Sequence, residues 1–127
     1  MLTLPRSVKI YVAAQPVDAR KSFDGLTALV EAEFGLTPMS GHLFVFLNRR
    51  GHVAQVLFWD RTGFCILKKR LESGTFRLVR TADGDAKHVE IDSGELTLML
   101  EGIELAGAKR RKRYRHAEGA ESTIAGV

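Results

Sequence analysis

The sequence predicts an α+β fold in which two main helices cover a mostly antiparallel β-sheet of about five to six strands. Three observations support this prediction: a strand followed by a helix near the N-terminus, a central series of short apolar runs separated by turn residues, and a second helical pattern after them. With 127 residues, of which 45% are hydrophobic, the chain can bury one core. We expect a single domain over residues 1–105 and a basic, flexible tail over 106–127.

The first strand and the first helix lie in the N-terminal third. Val8–Ala14 is short, apolar and partly β-branched, and Pro16 follows it, which predicts a strand. Asp18 or Ser22 can then cap a helix, and Gly35 provides its C-terminal stop. The apolar residues of this helix recur at helical spacing and are Leu26, Leu29, Val30 and Phe34.

The middle of the chain predicts a hairpin. His42–Asn48 is apolar at both odd and even positions, which indicates a strand covered on both faces. The polar residues 48–52 (NRRGH) form a loop that joins this strand to the next, Val53–Trp59. A second turn follows over Asp60–Gly63, where Gly63 can adopt a positive φ.

Phe64–Leu71 fits both a strand and a helix pattern. We favour a strand because the run is short and lies between turn residues at Gly63 and at Ser73-Gly74. Thr75–Arg80 is predicted to continue as a strand, and Lys87–Ile91 forms another after an intervening turn.

The second helix is predicted to begin at a capping box. Asp92 is followed three residues later by Glu95, the spacing at which two side chains satisfy each other's backbone N–H groups. The helix then continues to Gly102. Its apolar residues at helical spacing are Leu96, Met99, Leu100 and Ile103.

The charges of the chain are segregated. Residues 49–80 carry a net charge of +6, residues 81–105 a net charge of −6, and the tail 106–127 a net charge of +4. The first 105 residues are therefore neutral in sum, and the overall charge of +4 lies in the tail. This pattern indicates a polyanionic partner for the basic segments and does not suggest an enzyme.

Two basic clusters are candidate nucleic-acid contacts. The first consists of Arg49 and Arg50 at the hairpin tip together with Lys69 and Arg70. Because consecutive residues of a strand point to opposite faces, only part of the Lys68–Arg70 run can share one surface. The alternative is a solvated face that pairs with the acids of 81–105. The second cluster surrounds Tyr114 in the tail and contains Lys109, Arg110, Arg111, Lys112, Arg113 and Arg115.

A run of like charges repels itself, and phosphates relieve that repulsion by releasing counterions. The tail therefore suggests nucleic acid, with a solubilising tail or an acidic protein target as alternatives. Arg and Tyr side chains can also stack on bases.

Catalytic, metal and cofactor sites have no support in the sequence. The four histidines lack ligand spacing, and one Cys excludes an internal disulfide and a Cys-based zinc site. No phosphate-binding Gly loop occurs, so we expect no cofactor. Cys65 is interpreted as a small buried hydrophobe, Trp59 as a core anchor and Asp60 as a turn cap. No apolar run is long enough for a membrane helix or a leader peptide, which leads to the expectation of a cytoplasmic protein.

Several segments in a fixed order resemble the TnpB accessory proteins (Orf2-like) of insertion-sequence-66-type transposable elements. The resemblance extends over nearly all of residues 5–105. Its segments are Arg20–Leu26 (RKSFDGL), Gly41–Phe46 (GHLFVF), Asn48–Arg50 (NRR), Trp59–Phe64 (WDRTGF), Lys69–Phe76 (KRLESGTF) and Gly102–Leu105 (GIEL).

The resemblance implies a helper in transposition that acts beside a separate, larger transposase, and it supplies no catalytic residues. The chain departs from the family pattern at two places. Leu78-Val79 replaces a common Trp-Pro pair, and Gln55 stands where a basic residue is frequent, which would remove one charge from a DNA-binding face. We expect Arg20–Leu26 to be structural, with Phe23 and Leu26 on the buried face of the first helix.

Two hypotheses follow. In the first, the protein is a non-catalytic accessory factor that binds DNA through Arg49, Arg50, Lys69, Arg70 and the basic run of the tail. In the second, it is an adaptor that docks onto the element-encoded transposase, or self-associates, without contacting DNA. A metal-dependent nuclease ranks far below both. The sequence leaves the oligomeric state open, including a homo-oligomer.

Overall fold

The computed structural model describes residues 7–78 and 84–101 and the backbone of 103–104 and 109–110. Its strands are β1 (Ile10–Ala13), β2 (Leu43–Leu47), β3 (Val53–Asp60), β4 (Gly63–Arg70), β5 (His88–Ile91), β6 (Ile103–Glu104) and β7 (Lys109–Arg110). Its helices are α1 (Phe23–Leu29), which continues as a π-helical segment (Val30–Phe34), a 3-10 turn (Pro38–Ser40) and α2 (Ser93–Glu101).

The main sheet has five strands in the order β4-β3-β2-β1-β5. Only β1 and β2 run parallel, and α1 lies in the connection between them, as a parallel crossover requires. The other pairs in this sheet are antiparallel, and β6 pairs with β7 in a separate ribbon. The predicted α+β fold with a mostly antiparallel sheet and two main helices is confirmed.

The sheet has a core on each face. On one face α2 packs its Leu96 and Met99 against Val45 and Val56, and on the other α1 packs Leu26 against Phe44. Because Phe44 and Val45 are adjacent on β2 and both fully buried, this strand is covered on both faces, as its continuous apolar run predicts.

The predicted ends of the two helices are also found. Gly35 closes the first helix in a left-handed conformation with φ of 67°. At the start of α2, the Glu95 N–H donates to Asp92 Oδ1 at 2.7 Å and the Asp92 N–H donates to Glu95 Oε1 at 3.0 Å, which is the predicted capping box. Ser22 occupies the N-cap position of α1 without a side-chain hydrogen bond.

Two predictions about local structure are wrong, and the positive φ of one turn lies at a different residue. Residues 75–78 do not form a strand, because the N–H of Phe76 instead donates to Gly51 O of the β2–β3 hairpin at 2.7 Å. The positive φ of the β3–β4 turn belongs to Arg61, at 53°, and not to Gly63. Helix α2 ends at Glu101, so that Ile103, predicted to follow the helical spacing, lies in β6.

Phe23 also departs from its predicted environment. It is 45% exposed, whereas Leu26, one turn further along α1, is fully buried. Trp59 and Cys65 are half-buried, and the Trp59 ring packs edge-on against Phe64 with the ring centres 4.9 Å apart. Residues 79–83 and most of the predicted tail lie outside the described residues.

Candidate nucleic-acid interface

Three chain segments meet at one end of the sheet. Parallel β1 and β2 end at the same edge, where β3 begins and β4 ends. Hydrogen bonds join the connecting segments there: Val17 N–H donates to Leu47 O at 2.8 Å, and Leu71 N–H donates to His52 O at 2.8 Å. We call this region, formed by residues 17–23, 48–52 and 68–76, the basic end.

The hairpin loop of the basic end is held in one shape by its own polar groups. Val53 N–H donates to Asn48 Oδ1 at 3.0 Å, and the Asn48 amide nitrogen lies 3.1 Å from His52 Nδ1. Gly51 has φ of 76°, and a Cβ at this position would lie 3.3 Å from Thr75 Cβ. The loop is therefore fixed both by internal bonds and by the segment that follows β4.

Arg49 and Arg50 occupy the tip of this fixed loop. Both are exposed, and neither forms an ion pair within the described part of the chain. The sequence prediction that these guanidinium groups lie together on a hairpin tip agrees with this placement. Their charges are available to an anionic partner.

The basic residues at the end of β4 divide between the two faces of the sheet. Lys68 Nζ donates to Ala19 O at 3.1 Å, on the α1 side, whereas Lys69 Nζ donates to Leu100 O at 2.8 Å, on the α2 side. Arg70 pairs with Glu72, with Nη2 3.2 Å from Oε2. Lys69 is therefore separated from Lys68 and Arg70, as the alternation of a strand requires.

Sequence reasoning missed two basic residues of this region, Arg20 and Lys21. Gln55 Nε2 lies 3.5 Å from Lys21 O, and the stem of Lys21 lies beside Gly25, so that the segment rests on the beginning of β3. The signal that could have identified them is their adjacency, which repeats the adjacency of Arg49 and Arg50.

Arg20 is held by Asp18. Its Nη2 lies 2.8 Å from Asp18 Oδ2, and its backbone N–H donates to Asp18 Oδ1 at 2.9 Å. The side-chain and backbone hydrogen bonds from Arg20 lower the pKa of Asp18 from its ordinary value of 3.8 to about 2. The pair is exposed and nearly neutral in sum, so Lys21 provides the uncompensated charge of this segment.

Gln55 does not lie on a binding face. The side chain is only 3% exposed and is covered by the segment that carries Lys21. The prediction that Gln55 removes one charge from a DNA-binding surface is therefore wrong, because this position is part of the support beneath the surface.

The tail residues proposed from the sequence are only partly described. The backbone of Lys109 and Arg110 forms β7, in which Arg110 pairs with Ile103 and Lys109 with Glu104. The other predicted contacts of the tail lie outside the described residues and are Arg111, Lys112, Arg113 and Arg115.

The histidines of the described segments have structural surroundings. His42 Nδ1 accepts a hydrogen bond from the Lys9 N–H at 3.0 Å, and His88 packs between the rings of Tyr11 and Phe34. Within residues 7–78 and 84–101, no group of three or more His, Cys, Asp or Glu side chains could hold a metal ion. None of the helices in these ranges has the length and apolarity needed to cross a bilayer.

Comparison with known proteins identifies relatives over almost the whole chain. The family model described as IS66 Orf2 like protein matches residues 8–110. The uncharacterized protein y4jC of Sinorhizobium fredii is 35% identical over 111 residues, covering 87% of this chain and 92% of the relative. The uncharacterized protein y4hO of the same organism is 34% identical over 104 residues, covering 82% and 88%. No solved structure matches the chain significantly.

Proposed function

Since the chain belongs to the IS66 Orf2-like protein family, we propose that it is a non-catalytic accessory factor for transposition that binds DNA through its basic end and its basic tail. The family places the chain with the IS66 transposition machinery, which makes the element-encoded transposase a plausible further partner.

The observation that supports DNA binding is the convergence of basic side chains from separate segments at the basic end. Lys21, Arg49, Arg50 and Lys68 are all exposed there, and the two arginines have no acidic partner among the described residues. Guanidinium and ammonium groups contact phosphate oxygens, and such contacts fix the orientation of a protein on a duplex without reading its sequence.

The fixed hairpin gives this surface a defined geometry. Because the loop is held by Asn48 and by the packing of Gly51 against Thr75, the two arginines project from a preorganised support. A preorganised loop loses less conformational freedom on binding than a flexible one. The basic end is therefore suited to orient the protein, whereas the six basic residues of 109–115 are suited to supply sequence-independent affinity.

A gel-shift titration with duplex DNA from the element ends and with unrelated duplex tests the proposal. We expect the full chain to bind both, and the Arg49→Ala/Arg50→Ala variant to bind more weakly. The matched control is Arg61→Ala, which removes an exposed arginine at the opposite end of the sheet, in the β3–β4 turn. Because the double variant removes two charges and Arg61→Ala removes one, a loss of binding free energy that is only twice as large in the double variant would reflect total charge and would exclude a role for the basic end.

An adaptor that contacts only the transposase gives a different result in the same assay. The full chain would then leave both probes unshifted at low salt, while still binding purified transposase in a pull-down without DNA. We also expect no metal-dependent nicking of DNA by the isolated chain. Nicking that disappears in the Asp60→Ala or Asp24→Ala variant would contradict the assignment as a non-enzyme.

A further inference from the structure

Strand β4 forms an edge of the main sheet, and its outer backbone groups are unpaired within residues 7–78 and 84–101. The bond from Leu71 N–H to His52 O sets the phase of the β3–β4 ladder, in which hydrogen-bonded and non-bonded pairs alternate. The N–H and C=O groups that point away from β3 therefore belong to Phe64, Ile66, Lys68 and Arg70. No backbone hydrogen bond in the described part of the chain uses them.

An apolar groove of about 340 Å³ runs beside this edge on the α2 face of the sheet. The apolar side chains of its lining are Leu43, Val56, Phe58, Leu67, Leu96 and Leu100, and polar residues of β4 and α2, among them Lys69 and Glu101, complete it. Leu67 stands at the mouth of the groove on β4 and is 55% exposed. An open strand and an open apolar groove thus share one border of the molecule.

The charges that normally protect an edge strand are directed elsewhere. Lysines on an edge oppose pairing with another chain. Here Lys68 Nζ donates to Ala19 O and Lys69 Nζ donates to Leu100 O, while the Arg70 guanidinium pairs with Glu72. Each of the three cations is engaged within its own chain, so the outer backbone groups of β4 are accessible to a partner strand.

We propose that this border binds a second copy of the same chain, with the two β4 strands antiparallel about a two-fold axis at Ile66. The pairing joins the two five-stranded sheets into one and places Leu67 of each copy opposite Cys65 of the other, on the α2 face. Both grooves then lie on the same face beside the seam. The Leu67 side chains close them, and the seam buries apolar surface that each single copy exposes.

Self-pairing suits the charge pattern of β4, because an antiparallel two-fold arrangement keeps the basic residues of the two copies apart. Its apolar half, Phe64–Leu67, precedes its basic half, residues 68–70. An antiparallel two-fold arrangement sets each basic half beside the apolar half and the β3–β4 turn of the other copy, so like charges lie at opposite ends of the seam. Asp60 and Arg61 of that turn cancel each other and add no repulsion.

Sedimentation equilibrium of the full chain over a concentration series tests the proposal. We expect a monomer–dimer equilibrium that the Leu67→Lys variant abolishes. Met39→Lys is the matched control, because Met39 is also 55% exposed and lies in the 3-10 turn, away from β4. It should dimerise like the parent. A parent chain that is monomeric at every concentration overturns the proposal and leaves the edge open for another protein.

A backbone variant separates edge pairing from side-chain effects. Lys68→Pro removes an N–H that points away from β3, so the β3–β4 ladder stays intact while the seam loses a donor. We expect this variant to be monomeric with an unchanged circular dichroism spectrum, and Lys68→Ala to dimerise. Hydrogen exchange at the amides of Ile66 and Lys68 should slow as the parent concentration rises. Fast exchange in a dimeric parent would locate the interface elsewhere and would overturn the assignment of β4.

Discussion

Phe23 illustrates how a single residue can satisfy a sequence pattern and still be exposed. Its spacing of three residues from Leu26 is typical of one helix face, yet only Leu26 reaches the core between α1 and the sheet. Phe23 is the first residue of α1 and has no place in the cluster of side chains packed on that face. Helical periodicity predicts the side of the helix on which a side chain lies, whereas burial of that side chain depends on whether another element packs there.

Replacing these two residues should therefore have unequal effects. Because Phe23 is 45% exposed, Phe23→Ala should lower the free energy of unfolding by about 1 kcal/mol or less. Leu26→Ala removes a fully buried side chain and should cost about 3 kcal/mol. Urea denaturation followed by circular dichroism measures both. Equal losses would mean that Phe23 is buried in solution.

The exposed pair of Asp18 and Arg20 gives a pH-dependent prediction at the same scale. Arg20→Ala removes the side-chain hydrogen bonds that stabilise the ionised carboxylate and keeps the one from the backbone N–H of residue 20, so the pKa of Asp18 should rise from about 2 part of the way toward its ordinary value of 3.8. Because the folded-state pKa is depressed, the pair contributes stability above pH 3.8, and this contribution is lost as the pH falls toward about 2. NMR titration of the Asp18 carboxyl carbon checks the shift. An unchanged pKa in the variant would assign the depression to another group.

Among the secondary-structure elements, the two hairpins of β3 show where glycine is required. The β2–β3 loop needs Gly51, which has φ of 76° and packs closely against Thr75. In the β3–β4 turn the positive φ is at Arg61, and a Cβ at Gly63 would have no heavy atom within 4 Å. Glycine at a turn is thus informative only when the backbone conformation is known.

Alanine substitution at Gly51 and at Gly63 should have different effects on the free energy of unfolding. Gly51→Ala forces a side chain into the left-handed region and toward Thr75, and we expect a loss of about 1–2 kcal/mol. Gly63→Ala should change stability by less than about 0.5 kcal/mol, because neither strain nor a close contact results. Thermal unfolding compares the two variants with the parent. If Gly63→Ala is the more destabilising change, the positive φ of the turn lies at Gly63 in solution and not at Arg61.

At the scale of the whole molecule, the net charge and the local basic surface proposed for DNA binding lie in different parts of the chain. Residues 1–105 are neutral in sum, so the tail carries the net charge, while the basic end concentrates local cations on a fixed scaffold. Long-range attraction follows net charge, whereas orientation follows the positions of individual contacts. The tail and the basic end are therefore expected to contribute in different ways.

Truncation distinguishes these contributions. If all six basic residues of 109–115 reach phosphates, the slope of log K against log salt for duplex DNA should include about −5 from the tail. Deleting residues 106–127 also removes β7, and it should flatten this slope and preserve the circular dichroism signal of the main sheet and helices. Affinity and slope that stay unchanged after truncation would remove the tail from the interface.

Much of the fold could be predicted because its signals are local. The continuous apolar run of β2 predicted a strand buried on both faces, Gly35 predicted the end of the first helix, and Asp92 with Glu95 predicted the start of α2. Each signal acts between residues a few positions apart, through backbone conformation, side-chain direction or a capping hydrogen bond. Such effects are present in the chain before its distant parts meet.

The sequence by itself thus determined the α+β class, most strands, both helices and the exposed basic hairpin tip. Only the tertiary structure decided that β1 lies between β2 and β5. It also decided that the backbone of Phe76 packs on the β2–β3 hairpin instead of extending a strand, and that Lys21 lies with Arg49 at the basic end. These features depend on which distant surfaces bury each other most favourably. The free energy of this burial depends on contacts between distant segments, so it cannot be estimated from a short stretch of sequence.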